Sequence, residues 1–288
     1  MKDLNFELKQ LCHRNRDGSY AKQTARERIL TLVANELTRL GFKFLSAVGL
    51  KPKHIEALVK DWIAKGLSAG TIKNRMAELR WLAEKVGKQN VVARSNDYYG
   101  IDHRRFVTNI SKARTLEAGE LQKVTDAYTR LSLRFQSEFG LRREESIKIR
   151  PTQADHGDRL VLQASWCKGG REREIPILTE AQRQLVNEAK QFAGAGSLIP
   201  RDMSYKQQLK RFENQCHKAG IDHVHGHRHA YAQRRYLELT GRDCPAAGGK
   251  TSKQLSAAEK ALDREARLTI SRELGHEREQ VTSIYLGR

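Results

Sequence analysis

Apolar residues recur at helical spacing through the first ninety positions. Ile29, Val33, Leu37 and Leu40 share one face of a helix running from Thr24 to Leu40, and Gly41 ends it. Pro52 opens a second helix, with Ile55, Leu58, Val59 and Trp62 inward and Gly66 at its end. A third begins at Ser68 or Thr71, turns Ile72, Met76, Leu79, Ala83 and Val86 inward and stops at Gly87. This pattern predicts a small helical unit. It breaks between Val91 and Arg114, where Asn96-Asp97-Tyr98-Tyr99-Gly100 is rich in turn formers. Helical periodicity resumes near Thr115 and runs towards Glu138.

Beyond Arg142 the pattern shortens. Leu160-Val161-Leu162 and Glu174-Ile175-Pro176-Ile177 are strand-like runs flanking Lys168-Gly169-Gly170, which predicts a hairpin. Helical patterning returns at Glu180. Gly241 to Ser252, with Pro245, Gly248 and Gly249, reads as a loop, and Leu255 to Glu273 as a helix. The expected fold is mainly α with a small β-hairpin: a helical N-terminal domain followed by an α+β domain. No internal repeat is visible.

Charge adds a partner to this picture. The 288 residues hold 53 Lys and Arg against 34 Asp and Glu, a net charge of +19. Such a bias favours a polyanion, of which nucleic acid is the commonest. The excess is uneven: residues 1–115 carry 23 basic and 11 acidic residues, a net +12, and the longer remainder only 30 and 23, a net +7. On the first helical unit Lys22, Arg26, Lys73, Arg75 and Arg80 fall on the faces left polar, and Arg104 and Arg105 follow in the turn-rich stretch. Together they form a candidate surface for tracking phosphates.

Other classes recede. No apolar run is long enough to span a bilayer, and the start, Met1-Lys2-Asp3-Leu4-Asn5-Phe6, lacks the apolar core of a signal peptide. A cytoplasmic protein is expected. Cys12, Cys167, Cys216 and Cys244 form no C-x-x-C pair and no disulfide framework. Cys216-His217 lacks the regular spacing of a zinc site. Neither a metal nor a cofactor is expected.

Five fragments carry candidate chemistry. In Gly140-Leu141-Arg142-Arg143-Glu144-Glu145, Arg142 and Glu145 are three apart and share a helical face. A guanidinium suits two-pronged binding of phosphate, and Glu145 can hold it in place. His225 and Arg228 share a face in the same way. Lys168 sits beside a glycine turn, with Arg171 and Arg173 as competing bases. His276 follows Leu274-Gly275, and Tyr285 comes nine positions later. A free phenol, with a pKa of about 10, is a poor nucleophile at neutral pH, and neighbouring arginines favour its ionised form. No cluster of carboxylates suited to Mg²⁺ is evident, which argues against a two-metal nuclease.

In this order and these contexts, the fragments resemble the tyrosine recombinase (phage integrase) family. The resemblance spans essentially the whole chain. It implies a core-DNA-binding (SAM-like) domain over residues 1–93, a linker over 94–114 and a catalytic domain over 115–288, closing as a C-shaped clamp on duplex DNA. It implies Arg142, rather than Arg143, and Arg228 as phosphate-binding arginines, with Glu145 in support. Lys168 would protonate the leaving 5′-oxygen, with His225 as the alternative donor. His276 would complete the site and Tyr285 would be the nucleophile. Tyr231, Tyr236, Tyr98 and Tyr99 do not follow Leu-Gly-His at that spacing. His223, His227 and His229 are expected to pack or to lie at the surface, with His229 a candidate buttress of the site.

The implied activity is site-specific DNA recombination through a 3′-phosphotyrosine, integrating or excising a mobile element. The implied partners are double-stranded DNA, three further copies of the chain in a tetrameric synapse, and accessory DNA-bending or directionality proteins. Two alternatives are a type IB topoisomerase and a catalytically silent DNA-binding protein of the same fold. Two features depart from the family. The interval from Arg228 to His276 is long, with the extra material at Gly241–Ala266. The sequence also stops at Arg288, where many relatives continue into a segment that docks on a neighbouring protomer.

Overall fold

Residues 3–276 and 278–288 are described by the computed structural model, in which the chain divides into two units, Met1–Arg105 and Phe106–Arg288. The first is built from α1 (Leu4–Arg14), α2 (Tyr20–Arg39), α3 (Pro52–Ala64) and α4 (Ala69–Lys85). Side-chain oxygens of Ser19 and Ser68 cap α2 and α4 by accepting from Lys22 N and Thr71 N, and Pro52 starts α3. Their apolar faces meet in one core around Leu30, Val33, Leu37, Ile55, Leu58, Trp62, Ile72, Met76 and Leu79. The helix α1, which the sequence pattern did not announce, joins this core through Leu4, Leu8 and Cys12.

The stretch expected to link two domains is divided between the units. Its first part packs on the helices of unit one. Ile101 is buried there, Arg80 donates to Ala93 O and to Asn96 Oδ1, and Arg104 donates to Gly70 O and Asn74 Oδ1. Its last residues belong to unit two, where Arg114 N donates to Gly226 O at 3.1 Å.

The second unit contains α5 (Ala118–Gln122), α6 (Ala127–Phe139), α7 (Arg143–Lys148), α8 (Pro151–Ala154), β1 (Arg159–Leu162) and β2 (Arg173–Pro176). Then follow α9 (Glu180–Ala193), α10 (Tyr205–Ala219), α11 (Gly226–Thr240), α12 (Ala257–Glu273) and α13 (Glu279–Leu286). The expected helix from Thr115 to Glu138 is two helices, because Asp126 accepts from Thr129 N at 2.9 Å and starts α6 afresh. The antiparallel pair β1–β2 runs in register from Arg159 opposite Pro176 to Leu162 opposite Arg173, and turns Leu160, Leu162, Arg173 and Ile175 inward. The main core joins Phe135 and Phe139 of α6 to Tyr231 and Tyr236 of α11, with Leu185, Ile270 and Leu286. A smaller core holds Val124, Leu133, Ile147, Phe212 and Cys216. Burial pushes the Cys216 thiol up to about 11, as befits an inert core residue. Among the described residues, no helix is long and apolar enough to cross a membrane.

Candidate active site

Arg228 lies in the first turn of α11 and is only 1% exposed. A buried guanidinium needs a partner for each of its donors. Nη1 donates to Gly140 O and Nη2 to Leu274 O. Nη2 also reaches His276 Nε2 at 3.3 Å, and Nε reaches the Tyr285 hydroxyl at 3.3 Å. Burial, and then the charge of Arg142, lower its pKa to about 10, so it remains a cation at neutral pH.

Two of these partners explain two motifs in physical terms. Gly140 ends α6 in the left-handed region at φ 61°, and a Cβ there would lie 2.6 Å from the Tyr231 ring. The chain can then turn sharply, aim its carbonyl at Arg228, bury Leu141 and deliver Arg142 to the start of α7. Gly275, at φ 65°, would bring a Cβ within 2.8 Å of Arg173 Cδ. That turn points Leu274 O at Arg228 and leaves the His276 ring beside the guanidinium.

Arg142 is the N-cap residue of α7. Its N–H donates to Glu145 Oε2 at 2.7 Å and its Nη1 to Oε1 at 2.8 Å. The expected pair therefore forms, but Glu145 has a stronger partner. Arg173, on β2, makes a two-pronged contact with it, Nη1 to Oε1 at 3.0 Å and Nη2 to Oε2 at 2.6 Å. Arg173 also donates from Nε to Glu273 O at 2.9 Å. Glu145 is completely buried. Burial alone would raise its pKa, but the hydrogen bonds and charge of Arg173, with Arg142 and Arg228, hold it down at about 2. Arg173 thus ties the hairpin to the start of α7 and to the end of α12. The sequence showed it only as a base near Lys168. The signal available was its alternation with Ile175 on one strand face.

Tyr285 projects from α13 and is 6% exposed. Its hydroxyl lies 3.4 Å from His225 Nε2, besides the contact with Arg228. Its ring stacks on His276, with centroids 5.4 Å apart and planes at 19°. His229 stands on another side, 4.5 Å away between centroids. Arg228 can only donate, so His276 Nε2 must accept, and Nδ1 carries the proton towards Thr282 Oγ1 at 3.2 Å. Desolvation and the Arg228 and Arg142 charges lower the His276 pKa to about 3 and also lower that of His225. His229 falls to about 4 by burial and its neighbour His225. All three rings are neutral near pH 7. His227 is buried and donates from Nδ1 to Arg114 O at 2.9 Å, away from the cluster.

The fold therefore brings together Arg142, Glu145, His225, Arg228, His276 and Tyr285. Lys168 is exposed on the turn between β1 and β2 and forms no hydrogen bond or ion pair among the described residues. The cluster presents two fixed cations, neutral imidazoles and one phenol, a set suited to a phosphodiester.

The sequence family described as "Phage integrase, N-terminal" matches residues 1–92, and that described as "Integrase" matches residues 104–234. The chain belongs to the phage integrase (tyrosine recombinase) family. Its function is that of a tyrosine site-specific recombinase. Solved structures share the fold. The XerH site-specific recombinase in its post-cleavage complex with palindromic difH substrate has a TM-score of 0.59 at 15% identity, over 98% of this chain and 80% of that one. A lambda integrase dimer bound to a COC′ core site has 0.60 at 15%, over 98% and 78%. The Tn1549 transposon integrase in complex with circular intermediate DNA has 0.53 at 17%, over 100% and 96%. No curated protein matches the sequence.

The basic residues of the recombinase's first unit need correction. Arg26 was expected on an exposed face and is 4% exposed. It donates from Nε to Glu78 Oε2 at 3.0 Å and lies 4.0 Å over the Trp81 ring, because Glu78 is itself buried and needs a cation. Arg75 pairs with Glu36 at 3.2 Å and packs over Trp62. Arg80 and Arg104 are engaged by backbone and asparagine oxygens, and Lys22 pairs with Glu78 while staying half-exposed. Lys73 and Arg105 form no ion pair among the described residues, and Arg105 is exposed. Helical periodicity says which face a residue occupies, but not whether a buried acid will draw it in.

Proposed function

We propose that this recombinase breaks and rejoins double-stranded DNA through a covalent 3′-phosphotyrosine at Tyr285, to integrate or excise a mobile element. The observation that carries the reading is the 3.3 Å contact between Arg228 Nε and the Tyr285 hydroxyl. It sets a nucleophile beside a permanently charged, pre-oriented donor. Tyr285 Oη attacks the scissile phosphorus as the bond to the 5′-oxygen breaks. Arg142 and Arg228 stabilise the charge growing on the non-bridging oxygens. The phenol proton passes to His225 Nε2, which is neutral and 3.4 Å away. Lys168, exposed and unengaged among the described residues, supplies a proton to the departing 5′-oxygen. His225 is the alternative donor once it holds the phenol proton. The bond energy is kept in the phosphotyrosine, and a 5′-hydroxyl of the partner duplex reverses the step.

Lys73, Arg105 and the exposed end of Lys22 are the leading phosphate contacts of the first unit. Four copies assembled on two duplexes, acting in the cytoplasm with accessory DNA-bending proteins, complete the reading. The experiment is selection of a binding site from random duplex DNA, followed by a strand-exchange assay on two duplexes that carry it. Covalent capture with exchange supports the proposal. Relaxation of supercoils without exchange would favour a topoisomerase, and binding without capture a silent DNA-binding protein.

A further inference from the structure

The end of α13 is fastened from three directions. Arg267, buried on α12, donates from Nη1 to Gly287 O at 2.9 Å and is held by Asp263 at 2.9 Å. Gln233 of α11 donates to Tyr285 O at 3.1 Å, and Ser111 Oγ donates to Gln233 Oε1 at 3.0 Å. Asn109 pairs with one residue in both directions: Arg288 N donates to its Oδ1 at 2.8 Å, and its Nδ2 donates to Arg288 O at 2.8 Å. The fit there is close, since a Cβ on Gly287 would lie 2.6 Å from Asn109 Oδ1 and 2.8 Å from Ala246 N.

An eight-residue helix cannot hold itself in place in water. This one carries the tyrosine whose hydroxyl must meet Arg228. Asn109 and Ser111 both belong to the strap 106–114 that opens the second unit. The strap is pinned to the start of α11 by Arg114 N on Gly226 O and by His227 Nδ1 on Arg114 O. Asn109 has φ 51°, a left-handed conformation that asparagine adopts more readily than most residues. Its amide sets an N–H donor beside an oxygen acceptor, matched to a peptide C=O and N–H. No other neutral side chain of that length does so.

We propose that Asn109 is a positioning residue for strand cleavage: from the strap, it fixes the last turn of α13 and so keeps the Tyr285 hydroxyl within reach of Arg228. The proposal rests on the reading of Tyr285 as the nucleophile. It adds that the nucleophile is held in place by the segment of its own chain that enters the second unit, in concert with Arg267 and the Pro245–Ala246 loop.

The test uses the full chain and two variants, Asn109→Ala and Gly287→Ala. Asn109 is exposed, so its truncation leaves the core intact. Hydrogen exchange of the α13 amides is measured without DNA. Covalent trapping is measured on a nicked duplex carrying the site recovered by selection. Both variants should speed exchange in α13 about tenfold, the scale of one or two net hydrogen bonds, with α11 unchanged. Trapping should fall by a similar factor while DNA retention stays the same. Wild-type exchange in α13, or wild-type trapping despite faster exchange, would overturn the proposal. A wild-type protein that forms no covalent product would defeat the nucleophile assignment instead, and the exchange measurement would still decide whether Asn109 holds the helix.

Discussion

The Nε of Arg228 lies 3.3 Å from the hydroxyl of Tyr285, while its two terminal nitrogens are tied to the carbonyls of Gly140 and Leu274. One guanidinium thus sets the distance between the Gly-Leu-Arg turn, the Leu-Gly-His turn and Tyr285, the proposed nucleophile. A lysine offers three donors from a single point and cannot span these acceptors. Arg228→Lys should lower the single-turnover cleavage rate by on the order of a hundredfold. It should also destabilise the fold by about 1–3 kcal/mol, because a buried carbonyl loses its partner. Single-turnover cleavage and thermal unfolding check the two parts separately.

Glu145 links stability to acidity. Its pKa, lowered to about 2 by Arg173 and Arg142 against the opposing push of burial, is below the ordinary 4.5. A depressed carboxyl contributes stability that is fully present above its unfolded pKa and is lost as pH falls through the folded one. The wild type should therefore lose stability between about pH 4.5 and 2, and Glu145→Gln should flatten that part of the curve. Arg173→Met leaves a buried carboxylate short of its main partner. It should cost about 3–5 kcal/mol at neutral pH by denaturant unfolding.

His276 should not titrate in the physiological range, since desolvation and Arg228 lower its pKa to about 3. A histidine with a depressed pKa is bound by fewer protons folded than unfolded, so stability contributed by its neutral form falls as pH drops from 6.5 towards 3. Its ring resonances should stay constant from pH 5 to 8 in NMR, with the proton on Nδ1. In Arg228→Ala the pKa should rise. A ring that titrates near 6.5 in the wild type would contradict the packed site.

Much of this was legible in the sequence. The three long helices of the first unit follow from the spacing of Leu37, Trp62 and Met76, and the hairpin follows from the runs around Leu160 and Ile175. The cluster of Arg142, His225, Arg228, His276 and Tyr285 was assembled from short motifs, and the fold places these residues together. Arg173 was not legible as a buttress, because its role depends on a carboxylate 28 positions away. The same holds for Arg26, whose burial follows from Glu78, 52 positions along the chain. Periodicity reports local faces, and long-range ion pairs lie outside its reach. The helix α1 has a short inner face, Leu4, Leu8 and Cys12 with Leu11 packed beside them, and its pattern is correspondingly brief.

The basic residues of the first unit fall into two classes. Lys73→Ala and Arg105→Ala should each make the log–log dependence of DNA affinity on salt shallower by about 0.9, one released counterion apiece. Arg26→Ala should leave that slope unchanged and instead lower the melting temperature, because it strips Glu78 of its buried partner. Binding titrations across a salt series, paired with melting curves, distinguish the two effects.

The reading of Tyr285 as the attacking group is tested most directly by covalent capture on a nicked duplex bearing the selected site. The wild type should form a protein–DNA adduct that survives denaturation, in buffer containing EDTA as well as without it, and a tryptic peptide containing Tyr285 should carry the 3′-phosphodeoxynucleotide. Tyr285→Phe should bind the same duplex and form no adduct. An adduct that persists in Tyr285→Phe, or one mapped to another residue, would contradict the assignment.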